Sequence, residues 1–218
     1  MLPVPFDPDD VRSCDAVLAT HEHADHVHGP TQGPILANTG ADYLAPDDSL
    51  AVVAEEGWTD EYDVAADQLH EVVEEDTLEV GSFTIHVEGA NDPDATHPVS
   101  YVIDHDAGTF FHGGDARPGE PFTRVGDEYD IDLGVLAFGS AGNLTDPDTG
   151  KHVPTTWYSD ENEIAEAATQ VRMDRLLPSH WDIWKNLTAD PTALWPHVRS
   201  YEAPRTLELV EIGDRVSL

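Results

Sequence analysis

The chain has 218 residues, with 44 acidic side chains against 10 basic ones and a formal net charge of −34. That size suits one ordinary domain spanning 1–218. A surface this negative repels phosphate backbones and anionic lipid, so nucleic acid and membrane are excluded as partners and a small-molecule substrate is expected. Disorder is excluded too, because 39% of residues are hydrophobic, five are Trp and the acids are scattered along the chain. Cys14 is the only cysteine, which rules out an intrachain disulfide and a Cys-based zinc cluster. The opening Met1-Leu2-Pro3-Val4-Pro5-Phe6 is too short and Pro-broken for a signal peptide. No stretch reaches the roughly 18 apolar residues of a membrane span. The expectation is a soluble, cytoplasmic protein.

In chain order, Ala16-Val17-Leu18-Ala19 is a short apolar run that ends in a polar, His-rich loop, the pattern of a buried strand. Pro34-Ile35-Leu36-Ala37 repeats it, and a short helix is expected from Ser49, near its N-cap, to Glu56. Leu78, Val80, Phe83, Ile85 and Val87 then alternate around Gly81 and predict a hairpin or two successive strands. Val99 to Ile103 and Thr109 to Phe111 flank a turn, and a further buried strand is expected from about Ile131 to Phe138. Ser159 is read as the N-cap of a helix reaching about Arg172. Leu176-Leu177 leads into Pro178-Ser179-His180, and a second helix is expected near Pro191, limited by Pro196. Leu207, Leu209 and Ile212 to Val216 read as closing strands around Gly213-Asp214. Strands and helices alternate, which predicts an α/β domain.

The chemistry concentrates in Thr20-His21-Glu22-His23-Ala24-Asp25-His26. In a loop, His21 and His23 can turn toward one ion while Asp25 and His26 turn toward a second. Imidazole with carboxylate suits Zn²⁺, Mn²⁺ or Fe²⁺ better than Ca²⁺. This His-x-His-x-Asp-His pattern after a strand resembles the hallmark of the metallo-β-lactamase superfamily. Tyr101-Val102-Ile103, Phe111-His112-Gly113-Gly114-Asp115 and Ser179-His180-Trp181-Asp182-Ile183-Trp184 extend the likeness. The last two are similar to the branch that contains L-ascorbate-6-phosphate lactonases.

The resemblance implies an αββα sandwich with two divalent metal ions, Zn or Mn, at one edge of the sheets. By position, His21 and His23 resemble ligands of the first metal. Asp25, His26 and His180 resemble ligands of the second, and Asp115 resembles the carboxylate that bridges both. Asp25 and Asp115 are thereby the catalytic carboxylates, with Asp25 or a water handling the leaving-group proton. Superfamily members often place one more histidine before the bridging-Asp hairpin. Here the turn reads Asn91-Asp92-Pro93-Asp94, so His97, Asp92 or water is left to fill that place.

His28, His112 and His152 remain as supporting or substrate-facing groups, with His112 the best placed beside Asp115. Asp182 is a candidate to orient His180 through an imidazole hydrogen bond. Trp181, Trp184 and Trp195 are read chiefly as core. Gly139-Ser140-Ala141-Gly142-Asn143 has the small residues of a phosphate-approaching loop but no cation. Arg117 is the only cation close to Asp115 in sequence.

The superfamily normally has several strands ahead of the His loop, whereas 20 residues precede it here. Either the gene start is placed too late or the first sheet lacks N-terminal strands. An exposed strand edge would then invite pairing with another chain, a route to a homo-oligomer. The implied activity is hydrolysis by a metal-activated hydroxide, of a lactone or related cyclic ester. The alternatives are a phosphodiesterase-type hydrolase and a non-catalytic metal-binding remnant. The acidic composition also resembles that of salt-in halophilic archaea.

Overall fold

Residues 5–146 and 148–218 are described by the computed structural model. The chain divides into two units, one ending at His105 and the other running Asp106–Leu218. Of the opening hexapeptide, residues 1–4 lie outside the described residues.

The first unit layers helices on a parallel sheet and that sheet on an antiparallel one. Strand β1 (Ala16–Leu18) is followed by helix α1 (Gly29–Thr39), β2 (Asp42–Ala45), α2 (Asp47–Glu55), α3 (Trp58–Glu61) and β3 (Leu69–Glu71). The parallel sheet has the order β1-β2-β3. Successive side chains of a strand point to opposite faces, and β2 uses both. Tyr43 and Ala45 pack with Leu36, Val53 and Trp58 of the three helices, while Leu44 packs with Val72, Ile85, Val87, Val99 and Tyr101 on the other side. Those last residues come largely from β5 (Phe83–Gly89) and β6 (Val99–His105), which with β4 (Thr77–Val80) form an antiparallel meander. The expected hairpin around Gly81 is the β4–β5 turn.

Two sequence expectations change here. Pro34-Ile35-Leu36-Ala37 lies inside α1 and is not a strand. Four apolar positions cannot separate a strand from a buried helical turn, and the small residues around them let the helix sit close to its neighbours: a Cβ at Gly33 would lie 2.4 Å from the Tyr62 ring. In α2 the N-cap is Pro46, and Ser49 is buried within the helix.

The second unit is built on parallel strands. Strands β7 (Gly108–His112), β8 (Leu133–Ala137), β11 (Arg175–Ser179) and β13 (Thr206–Leu207) run in the order β13-β11-β8-β7, every neighbouring pair parallel. All five residues of β8 are buried, as expected for a parallel strand covered on both faces. Helix α4 (Glu120–Glu128), which the sequence reading passed over, meets α5 (Glu161–Val171) closely. A Cβ at Gly126 would lie 2.0 Å from the Gln170 carbonyl oxygen.

Helix α5 starts on a capping box: the Asp160 carboxylate accepts from the N–H groups of Asn162 and Glu163, and Glu163 reaches back to the Asp160 N–H. The cap is therefore one residue beyond Ser159. The helix ends at Arg172 in the left-handed region, φ 56°. A small antiparallel sheet has the order β10 (His152–Thr156), β9 (Ala141–Thr145), β12 (Leu187–Thr188). The small residues of Gly139-Ser140-Ala141-Gly142-Asn143 serve this sheet: a Cβ at Gly142 would lie 2.0 Å from the Asn186 carbonyl oxygen.

Pro191–Ala193 forms a 3-10 turn that runs into helix α6 (Leu194–Val198). Of the expected closing strands only Thr206–Leu207 forms; Ile212 is 55% exposed and has no strand around it. Among the described residues no helix is long and apolar enough to cross a membrane.

Candidate metal centre

In the first unit the donors sit on the loop that follows β1. The strand end is bolted in place by the buried Tyr101, whose hydroxyl donates to the carbonyl of Ala19 at 2.7 Å; burial pushes that hydroxyl well above the usual phenol range. The loop then turns tightly, with the N–H groups of His26 and Val27 both donating to the His23 carbonyl at 2.8 Å. Thr20, which the sequence reading did not single out, organises the rings. Its Oγ1 lies 2.9 Å from His21 Nδ1 and 3.2 Å from His26 Nδ1. A hydroxyl oxygen has two lone pairs and can accept from both Nδ1–H groups, leaving both Nε2 lone pairs for a cation.

His21 is 1% exposed, its Nε2 is 3.8 Å from Asp92 Oδ2, and the Asp92 side chain is 5% exposed. The same Nε2 lies 3.0 Å from His23 Nδ1. One donor atom each from His21, His23 and Asp92 falls within 4.8 Å of the others. One buried donor and two partly buried ones, of mixed imidazole and carboxylate character and gathered within one small volume, fit a divalent transition metal. Asp25 and His26 adjoin them, with Oδ2 and Nε2 3.8 Å apart and side chains 7% and 9% exposed. Glu22, between the two histidines, holds the Asp92–His97 turn against this loop by accepting from the Thr96 N–H at 3.0 Å and hydroxyl at 2.8 Å. Burial alone would raise its carboxyl, but these hydrogen bonds and its own N–H bring it below the usual carboxylate range.

His97 stands elsewhere. Its Nδ1 is 2.7 Å from Asp48 Oδ2 and 3.1 Å from Asp47 Oδ1 at the start of α2, with 68% of its side chain exposed. Of the two residues the sequence left open, Asp92 is the one beside His21. The carboxylates of Asp48 and Asp47 hold the His97 imidazole above its ordinary value.

In the second unit Asp115 follows β7 on a turn that needs glycine twice. A Cβ at Gly113 would lie 2.6 Å from Leu136, and Gly114 has φ 58°. The Asp115 carboxylate, 7% exposed, lies 3.6 Å from His180 Nδ1. His112 is turned to its own chain and accepts from the Gly114 N–H at 3.2 Å. His180 directly follows β11 with φ 65°, an uncommon conformation for a residue with a Cβ. The fully buried Ser140 donates its hydroxyl to the His180 carbonyl and braces that turn. Arg117 is not available as a bare cation, because its Nη1 lies 3.1 Å from Glu163 Oε2.

A family model described as "Beta-lactamase superfamily domain" matches residues 1–181. A probable L-ascorbate-6-phosphate lactonase from Escherichia fergusonii is 26% identical over 209 residues, which cover 87% of this chain and 55% of that protein. The chain thus spans about half the length of the curated relatives it matches. Among solved structures, a metallo hydrolase from the hyperthermophilic archaeon Ignicoccus hospitalis superposes with a TM-score of 0.69 at 18% identity, covering 94% of this chain and 79% of the other. A possible metal-dependent hydrolase from Veillonella parvula superposes with 0.71 at 14% identity, covering 98% and 80%. At such identities the likeness is one of fold.

Proposed function

The chain belongs to the metallo-β-lactamase superfamily, and on that footing we propose that it is a metal-dependent hydrolase of a lactone or related cyclic ester. The observation that carries the reading is the convergence of His21, which is buried, with the partly buried His23 and Asp92, their donor atoms within 4.8 Å of one another. On the roles the resemblance implies, His21 and His23 serve one divalent ion, Asp25, His26 and His180 serve another, and Asp115 is shared. When bound, such ions supply Lewis acidity toward a carbonyl oxygen and a water acidified toward neutral pH.

The chain's own residues do the rest. Thr20 is placed to accept from the Nδ1–H of both His21 and His26, which would leave their Nε2 atoms for the ions. Ser140 holds the His180 turn, and the Asp115 carboxylate lies 3.6 Å from the His180 ring. Asp25, or a water, takes the proton of the attacking water and returns it to the alkoxide oxygen released when the ring C–O bond breaks. The lactone preference follows the lactonase-named relatives; phosphodiester hydrolysis is the competing reaction on the same ligands.

The test is elemental analysis of protein purified in molar KCl, followed by parallel assays of a γ-lactone and a bis-aryl phosphodiester. Bound Zn²⁺ or Mn²⁺ with faster lactone turnover is expected. Faster phosphodiester turnover overturns the substrate class, and protein that takes up neither metal overturns the hydrolase.

A further inference from the structure

Beside His180 the second unit places Tyr158, and beyond it Trp184 and then Trp157, a succession of three rings that the proposed chemistry does not use. The Tyr158 ring meets the His180 ring edge to face, with centroids 4.5 Å apart at 80°. Its hydroxyl accepts from the Trp184 indole N–H at 2.7 Å. The Trp157 and Trp184 rings are 5.6 Å apart at 84°. Trp184 lies on the loop after His180, and Trp157 and Tyr158 lie just after β10, so residues from two distant segments build one wall.

Two features set this wall apart from ordinary core. Tyr158 adopts φ 64°, a left-handed conformation that is uncommon for an aromatic residue and persists only where its surroundings hold it. Trp157 is 37% exposed, a large apolar face left toward solvent on a chain whose surface is dominated by carboxylates.

We propose that this wall is the subsite for an uncharged ring or acyl face of the substrate, so that the preferred lactone carries no phosphate. The proposal rests on the hydrolase reading and goes beyond it by naming the substrate class. Aromatic faces bind apolar and C–H surfaces through burial and ring geometry, whereas a phosphate needs charge-assisted donors. The cation closest in sequence to Asp115 is committed elsewhere. Arg117 pairs with Glu163, and the Glu163 carboxylate also accepts from the Asp160 N–H at 2.9 Å in the α5 capping box. A phosphate would have to compete with a carboxylate built into the start of a helix. Lys185, next to Trp184, is exposed to solvent, where a single ammonium gives a dianion little purchase. The net charge of −34 adds long-range repulsion.

The test uses two γ-lactams, which resist hydrolysis: γ-phenyl-γ-butyrolactam and its phosphooxymethyl counterpart. Their binding to the metal-loaded full chain in molar KCl is followed by calorimetry and tryptophan fluorescence. The phenyl compound is expected to bind about tenfold more tightly than the phosphate one. Trp157→Ala weakens only the phenyl compound, by about fivefold, and Trp157→Phe restores it, as an aromatic contact requires. Equal or tighter binding of the phosphate compound, binding of neither, or no loss in Trp157→Ala overturns the subsite. Turnover of γ-phenyl-γ-butyrolactone is measured separately. Lactam binding through Trp157 without turnover would leave the subsite standing and overturn the hydrolase.

Discussion

Asp92 and His97 lie five positions apart, and their surroundings separate them completely. Asp92 is nearly buried beside His21, whereas His97 faces Asp47 and Asp48 in solvent. Asp92→Ala is therefore expected to lower metal stoichiometry in elemental analysis, with His97→Ala leaving it unchanged. His97 has its own signature. Its folded pKa is raised by the hydrogen bonds to Asp48 and Asp47, so the stability it contributes is present in full below its unfolded value of about 6.5. That contribution is lost as pH rises through the higher folded value. Melting curves of the parent and His97→Gln should differ most below pH 6 and draw together as the pH rises past the raised folded value. The His-x-His-x-Asp-His run was legible because its donors are neighbours in sequence. Nothing local says which residue of the 91–97 turn comes to meet His21; the fold of that turn decides it, held by Glu22 to Thr96.

At the level of elements, period-2 alternation identified β4 and β5, and the acidic first turn identified α5 to within a residue. Pro34-Ile35-Leu36-Ala37 failed because burial on a helix and burial on a strand look alike over four positions. Helix α4 carries its apolar side chains on one narrow stripe, Phe122 and Val125, with Gly126 beside them. The close approach of α4 and α5 makes a sharp prediction. Gly126→Ala would drive a Cβ into the Gln170 carbonyl, a backbone clash that costs about 1–3 kcal/mol. In a chain of this size that lowers the melting midpoint by roughly 2–4 °C for each kcal/mol. Calorimetry checks it, and an unchanged midpoint would mean that the two helices do not meet as described.

For the molecule as a whole, the net charge of −34 is the dominant electrostatic fact. Self-repulsion disfavours the folded state, and the expanded chain partly relieves it. The Debye length falls from about 10 Å at 0.1 M salt to about 3 Å at 1 M, so molar KCl should remove most of the penalty. The expected outcome is a thermal midpoint that climbs between 0.1 M and 2 M KCl, with bound metal lost at the low end as the ligand loops loosen. A midpoint that stays level or falls across that series removes the case for adaptation to a salty interior.

What the amino-acid sequence determined by itself was whatever depends on composition or short spacing: the charge, the alternation of strands and helices, the His loop, and the Gly-Gly-Asp turn that presents Asp115. What only the tertiary structure decided depends on segments far apart in the chain. Asp92 faces His21 across 71 positions. Glu163 pairs with Arg117, and Trp157, Trp184 and Tyr158 pack in succession, with Tyr158 against His180. The physical reason is that hydrogen bonds within one loop are set by local geometry. Contacts between distant segments form only where packing of the sheets and helices brings them together.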